Sequence, residues 1–212
     1  MNQDDAFNRK YAYAYMRSLS RRDVTNPPIL LIFSAVPGSG KTVLGRKIAK
    51  DFQAQYIDHD AIRELIRRDG VHIESVYMPA VSKVVEEAII AQDKNKFIVL
   101  DGSVDRSWEY FFALAKKLRA LPIVIRLEVP LEVVKKRIAD RDGADSTLLK
   151  HIDAYRADFE ECARHVEADL TLGETYDYNT VVVFLKSKLT LLTAGTGGSY
   201  QNPKGSTQTP DD

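Results

Sequence analysis

The chain has 212 residues, of which 44% are hydrophobic and 28% charged, so it is long enough for one domain with extensions and excludes a wholly disordered or fibrous protein. Thirty basic and thirty acidic side chains give a formal net charge of zero, which excludes a protein that coats nucleic acid through overall positive charge. The apolar runs are far shorter than the roughly 20 residues of a membrane span, and from the polar start we expect no secretory signal. The single cysteine, Cys162, cannot form an internal disulfide, so we expect a cytoplasmic protein.

Aromatic and apolar residues recur at helical spacing near the start and predict an amphipathic helix over Asp5–Leu19. This helix can pack on the main fold or on a second chain, so the oligomeric state is open. Residues 21–28 end in two prolines and are typical of a connector. We therefore predict an N-terminal helix and linker over residues 1–28, a main domain over 29–193, and a disordered, glycine-rich tail over 194–212.

From Ile29 onward, short apolar runs alternate with helical patterns, which is typical of parallel strands joined by crossover helices. The pattern predicts a three-layer α/β/α fold with a five-stranded parallel sheet. The predicted strands are Ile29–Ser34, Gln55–Asp58, Phe97–Asp101, Ile123–Glu128 and Asp169–Leu172. The predicted helices are Lys41–Phe52, Ala61–Arg68, Ser75–Gln92, Trp108–Arg119, Leu131–Asp140, Leu148–His165 and Val181–Leu192. The last begins with β-branched residues, but its leucines share one helical face, which favours a helix.

The first strand runs directly into residues 35–42, Ala-Val-Pro-Gly-Ser-Gly-Lys-Thr, and a helix follows. Glycines in such a loop let successive backbone amides curl around a phosphate, and the helix aims its positive end at the same anion. The segment matches G-x-x-x-x-G-K-[ST] except that Ala35 replaces the first glycine. We predict that the loop binds ATP through Pro37, Gly38, Ser39, Gly40, Lys41, Thr42 and Val43.

Magnesium ligands are expected next to this loop. Thr42 offers a hydroxyl, and Asp101 ends an apolar strand, where a carboxylate can hold Mg²⁺ partly through water. The alternative for Asp101 is a capping role in the turn with Gly102. Asp58 is a further candidate ligand, or else a side chain that faces solvent.

The second strand is followed by Asp60 and Arg63, which lie three residues apart at a predicted helix start and therefore share a face. A carboxylate that can take a hydroxyl proton would thus lie beside a guanidinium that can hold an anionic substrate group. The alternative makes Asp60 the helix N-cap. His59 lies between the two acids, and we expect it to face away from them.

A helix beginning near Leu131 carries Arg137 and Arg141 at i, i+4, so both side chains emerge on one face. Two converging arginines would stabilise charge on a transferring phosphoryl group, and we predict that they are catalytic together with Lys41 and Asp60. The alternative is a solvated basic face neutralised by neighbouring aspartates.

Taken together, Pro37–Thr42, Asp60 with Arg63, residues 99–102 and the two arginines resemble the P-loop nucleoside and nucleotide kinase superfamily, in particular its zeta-toxin and polynucleotide 5′-hydroxyl kinase branch. The resemblance spans about residues 29–192. It implies sheet order 2-3-1-4-5, MgATP as donor, residues 173–178 near the adenine, and Asp60 and Arg63 as base and acceptor-phosphate clamp. The lid between Arg141 and Thr147 is short, unlike that of long-lid adenylate kinases.

These observations predict an ATP-dependent kinase that transfers a γ-phosphoryl group to a hydroxyl of a small molecule or nucleotide. A nucleic-acid 5′ end is a further acceptor but is not favoured, because basic clusters such as Arg67 and Arg68 are typical of solvated helix faces. No membrane partner is expected. The alternative is a nucleotide-dependent switch or interaction protein without an acceptor substrate.

Overall fold

The computed structural model describes residues 3–19, 26–70, 77–90 and 95–194. Most of the predicted connector and the predicted tail from residue 195 onward lie outside these residues. The helices are α1 Gln3–Ser18, α2 Lys41–Asp51, α3 His59–Arg68, α4 Tyr77–Ile90, α5 Trp108–Leu118, α6 Leu131–Asp142, α7 Thr147–Lys150, α8 Ile152–His165 and α9 Tyr178–Ala194. The strands are β1 Asn26–Ala35, β2 Gln55–Asp58, β3 Asn95–Ser103, β4 Leu121–Leu127 and β5 Leu170–Leu172.

The five strands form one parallel sheet in the order β2-β3-β1-β4-β5, which confirms the predicted fold class and strand order. Strand β1 is central and its residues 29–33 are almost completely buried, as expected for a parallel strand covered on both faces. The helix that leaves β1, α2, packs on one face of the sheet, whereas the helix that leaves its neighbour β3, α5, packs on the other face. The carboxyl end of β1 therefore lies at the point where ligands of open parallel sheets bind.

Alternate residues of β1 face two separate cores. Leu30 and Ile32 pack in a core with residues of α1, α3, α4, α5 and α8. Ile29, Leu31 and Phe33 pack on the other face with residues of α2 and α9. Helix α1 thus packs on its own fold, which is one of the two arrangements that the sequence had left open.

A third, smaller apolar cluster joins the segment after β4 to the loop after β1. It contains Val36 of the loop, Val134 and Ile138 of α6, and Phe159 of α8. We call α6 the lid helix. Among the described residues, no helix is long and apolar enough to cross a membrane.

Several predicted boundaries were wrong. Strand β1 starts at Asn26 rather than Ile29, with an irregular register between these residues, because Pro27 and Pro28 have no amide to donate to the ladder. Strand β5 starts at Leu170, and the lid helix extends to Asp142. The predicted helix Leu148–His165 is two helices that meet at His151. The choice of a helix over a strand for α9 is confirmed.

Candidate active site

The loop between β1 and α2 depends on two glycines with positive φ angles. Gly38 has a φ of +86° and Gly40 one of +102°, a region that side chains with a Cβ rarely adopt. A Cβ built on Gly38 would lie only 2.8 Å from Cγ1 of Ile138 in the lid helix, whereas one on Gly40 would meet nothing within 4 Å. At Gly38, both the positive φ and the nearby side chain of Ile138 require glycine, whereas at Gly40 only the positive φ does.

The loop and the start of α2 have the features of an anion site. Gly40 is the N-cap of α2, no side chain caps the helix, and its first turn contains no acidic residue. The Oγ atom of Ser39 is buried and has no hydrogen-bond partner within the described part of the chain. Uncapped amides, the positive helix end and a buried hydroxyl without a partner fit the phosphates of a nucleotide.

Ala35, which departs from the usual loop pattern, is the last residue of β1 and pairs with Leu127. Its φ is not positive, so a Cβ causes no strain. Its amide donates a hydrogen bond of 3.0 Å to the buried carboxylate of Asp105, which also accepts one of 2.7 Å from the hydroxyl of Ser34. Asp105 thus fixes the backbone at the point where β1 enters the loop. The sequence interpretation missed this residue, because Asp105 lies 70 residues beyond Ala35 and no local pattern connects the two.

Asp101 lies beside the loop at the end of β3, and its side chain is only 5% exposed. Nζ of Lys41 lies 3.5 Å from Oδ1, which accepts no hydrogen bond from any described residue. The hydroxyl of Tyr56 donates to Oδ2, and burial together with this carboxylate raises the pKa of Tyr56. One oxygen of Asp101 is thus held by a phenol, while the other is close to Lys41 and open to a further ligand.

This donor set fits Mg²⁺, which usually takes one or two carboxylates plus water and substrate phosphates. Thr42 lies in the first turn of α2 and is partly exposed. The described residues contain no group of three acidic, histidine or cysteine side chains that could hold a metal by itself.

Asp58, not Asp60, is the N-cap of α3, so the capping alternative for Asp60 was wrong and the helix begins at His59 instead of Ala61. Oδ1 of Asp58 accepts from the amides of Asp60, at 2.9 Å, and Ala61, at 3.3 Å. Its Oδ2 lies 3.2 Å from Arg46. Both oxygens are already used, which weakens the prediction that Asp58 also binds Mg²⁺.

Asp60 and Arg63 lie one helical turn apart and form an ion pair, with Nη1 of Arg63 2.5 Å from Oδ1 of Asp60. The side chain of Asp60 is 80% exposed. Asp58 and Asp101 are partners in the β2–β3 register, so the residues that follow Asp58 lie at the same sheet edge as Asp101. A carboxylate accessible to a substrate therefore lies near the predicted metal ligand.

His59 is turned toward the protein. Its ring stacks on Phe111 with centroids 6.4 Å apart and lies so close to Gly102 that a Cβ there would be 2.4 Å from Nδ1. Burial, followed by the positive charge of Arg63, lowers the pKa of His59 to about 4. His59 is therefore neutral at physiological pH and fills the space beneath the turn after Asp101.

Both lid arginines contact acidic partners. Arg141 donates to the two oxygens of Asp142 at 2.7 and 2.6 Å, and Arg137 lies 3.7 Å from Glu174. The pKa of Arg141 is raised chiefly by its hydrogen bond to Asp142 and also by the negative charge of Asp60. Arg141 thus has a neighbouring aspartate as its partner, as the alternative interpretation expected, whereas the partner of Arg137, Glu174, lies outside the lid helix.

Comparison with known proteins extends these observations. A family model described as an AAA domain matches residues 30–162. A cytidylate kinase from Staphylothermus marinus is 26% identical over 129 residues, which are 58% of this chain and 68% of the relative. A cytidylate kinase from Methanococcoides burtonii is 32% identical over 117 residues, 55% of this chain and 65% of the relative. The chain thus spans about two thirds of each relative.

A gluconokinase structure from Sinorhizobium meliloti 1021 has a TM-score of 0.56 and 17% sequence identity, and covers 84% of this chain and 100% of its own. At this level of identity the similarity concerns the fold, which is the α/β fold of P-loop kinases. The family match begins in β1 and ends in α8, so it includes the predicted site residues from Pro37 to Arg141 and leaves out α1 and residues 173–178.

Proposed function

The chain belongs to the AAA domain family whose model covers residues 30–162, and from this membership and the site we propose that it is an ATP-dependent kinase with a hydroxyl group as acceptor. One observation carries the proposal. A phosphate loop, a buried carboxylate next to Lys41, and an exposed carboxylate paired with Arg63 lie at the same edge of the sheet.

On the donor side, the amides of residues 38–42 and the Ser39 hydroxyl would hold the phosphates, and Lys41 would add positive charge. Thr42 and Asp101 would hold the magnesium ion, Asp101 partly through water. Bound MgATP would supply the phosphoryl group, and the metal would neutralise part of its charge. Arg137 and Arg141 would exchange their present acidic partners for the phosphate oxygens.

On the acceptor side, Asp60 would orient a substrate hydroxyl and take its proton. Its exposure leaves the carboxylate accessible, and the cap formed by Asp58 holds its backbone. Arg63 would hold an anionic group of the substrate beside this hydroxyl. This arrangement is the basis for assigning the chain to the zeta-toxin and polynucleotide-kinase branch, which remains part of the proposal.

A second candidate is a nucleoside monophosphate kinase, in which the acceptor is a phosphate. The two cytidylate kinase relatives favour it. A phosphate is already ionised at neutral pH and needs no base, whereas a hydroxyl does. The accessible carboxylate of Asp60 favours the hydroxyl acceptor. A nucleic-acid end is less favoured, because Arg67 and Arg68 face Glu64 at 3.9 and 3.8 Å.

The test is transfer of label from γ-³²P ATP to nucleosides, sugar acids, sugar nucleotides, nucleoside monophosphates and 5′-hydroxyl oligonucleotides. The Asp60→Asn variant should keep ATP binding but lose at least about 100-fold in transfer to a hydroxyl. If cytidylate accepts the label and Asp60→Asn reduces transfer much less than this, the phosphate acceptor is favoured instead.

Lys41→Ala is the matched control for the donor site, because it should abolish both transfer and the increase in melting temperature that MgATP causes. A protein that binds MgATP but labels no acceptor would contradict the kinase proposal and favour the nucleotide-dependent switch.

A further inference from the structure

Helix α1 lies outside the family match, yet it packs against α4 and against α3, the helix that carries Asp60 and Arg63. Tyr11, Ala12 and Tyr15 are buried in the same core as residues of α3, including Ile62 and Ile66. The matched domain therefore does not contain all the residues that support the acceptor side of the site.

The Tyr15 side chain reaches the start of α3. Its hydroxyl accepts a hydrogen bond of 2.7 Å from the amide of Asp58, the last residue of β2. Strand β2 is outermost in the described sheet and pairs with β3, so an amide on its open side needs a partner from outside the sheet. Tyr15 is only 2% exposed, and burial raises its pKa to about 12, so the hydroxyl stays neutral.

A second tyrosine of α1 holds the other end of α3. The hydroxyl of Tyr11 donates to Oδ2 of Asp69 at 2.8 Å, and Lys10 also forms an ion pair with this carboxylate. Asp69 is the C-cap of α3, just as Asp58 is its N-cap. Helix α1 thus contacts the capping residue at each end of α3.

Two hydrogen bonds connect Tyr15 to the backbone of Asp60. The Tyr15 hydroxyl fixes the Asp58 amide, and the Asp58 carboxylate accepts from the Asp60 amide at 2.9 Å. We propose that Tyr15 is a positioning residue, whose hydroxyl fixes the junction of β2 and α3 and so sets where Asp60 and Arg63 meet the acceptor. This inference rests on the proposed function, because it assigns α1 to the acceptor side of that same site.

The test compares Tyr15→Phe with Tyr11→Phe. Each variant removes one hydroxyl from a buried tyrosine of α1, but only Tyr15 contacts the N-cap. Tyr15→Phe should lower kcat/KM for the acceptor by about 10- to 100-fold, as expected for a misplaced catalytic group, and leave the Kd for MgATP within about twofold. Tyr11→Phe should change both quantities by less than about twofold, although it removes a hydrogen bond of a similar kind.

The inference would be overturned in favour of a purely structural role by either of two results. The two variants could lose equally in acceptor kcat/KM, or Tyr15→Phe could weaken MgATP binding by the same factor as it lowers acceptor kcat/KM. Denaturation by urea measures how far each variant is destabilised, so that a kinetic difference between variants of similar stability cannot be attributed to unfolding.

Hydrogen exchange separates this inference from the kinase proposal, since it needs no acceptor. In Tyr15→Phe, amides 58–61 should exchange faster than in the wild type, while those near Asp69 keep their rates; Tyr11→Phe should show the reverse. Unchanged exchange at residues 58–61 would refute the role of Tyr15 even in an active kinase. Absence of transfer by the wild type would instead refute the proposed function.

Discussion

Replacing Gly38 by alanine should destabilise the protein more than the same change at Gly40, although the two glycines lie in one loop. Both have a positive φ, which costs alanine about 1–2 kcal/mol. Only at Gly38 would the new Cβ meet another atom, 2.8 Å from Cγ1 of Ile138. Ile138 is completely buried, so it cannot move away freely, and overpacking of this kind costs about 1–3 kcal/mol more.

The free energy of unfolding should therefore fall by about 2–5 kcal/mol in Gly38→Ala and by about 1–2 kcal/mol in Gly40→Ala. Urea denaturation of the two variants and the wild type measures the difference. Because Gly38 lies against the lid helix, Gly38→Ala should also reduce the stabilisation by MgATP more strongly than Gly40→Ala does.

A double-mutant cycle with Ile138→Ala isolates the contact. Ile138→Ala alone should cost about 2–5 kcal/mol because it leaves a cavity. Combined with Gly38→Ala it should cost at least about 1 kcal/mol less than the sum, since the new methyl group occupies part of that cavity. The losses in free energy of unfolding caused by Gly40→Ala and Ile138→Ala should simply add, because no contact joins the two positions. Equal losses for the two single glycine variants, together with additivity in both pairs, would refute the reasoning.

Two further predictions concern residues around Asp101. The pKa of His59 is about 4 in the folded protein against an ordinary 6.5. Between these pH values the unfolded chain binds a proton that the folded chain does not, so the free energy of unfolding should fall by about 2.5 kcal/mol as the pH drops from 6.5 to 4. Urea midpoints of His59→Gln should depend less on pH over this range, and an unchanged dependence would contradict the assignment. Tyr56→Phe leaves one oxygen of buried Asp101 without its donor and should cost about 1–3 kcal/mol. The same change at Tyr13, which is 62% exposed, should cost less than about 0.5 kcal/mol in a parallel denaturation series.

The parts of the fold that could be predicted from the sequence are those encoded in neighbouring residues. The loop after β1 was visible because its glycines, Lys41 and Thr42 are contiguous, and the strands were visible because buried parallel strands are continuous apolar runs. The strand order followed from the resemblance, since the order of contacts between strands cannot be deduced from their spacing alone.

Contacts between distant residues could not be predicted in this way. Tyr56 and Asp101 are 45 residues apart, Ala35 and Asp105 are 70 apart, and Tyr15 and Asp58 are 43 apart. Each pair forms only after the sheet and its helices are in place, so no periodicity or short motif reveals it. These same pairs support the loop, the predicted metal ligand and the acceptor side.

Two local errors concern where helices begin and end. Asp58 and Asp60 are both suitable N-caps by residue type, and the pairing of β2 with β3 up to Asp58 decided between them. The break at His151 has no glycine or proline to indicate it. The hydroxyl of Ser146 caps the short helix α7 by accepting from Leu148, and α8 begins anew after His151.

Ala35 shows that the first glycine of the phosphate-loop pattern has no essential conformational task in this protein. The position ends a strand, and what it contributes is an amide for the carboxylate of Asp105. Serine or another short residue should serve equally well there, provided that the acid is kept. What this place in the fold requires is thus an amide that faces a buried aspartate, which here lies four positions beyond Asp101 of β3.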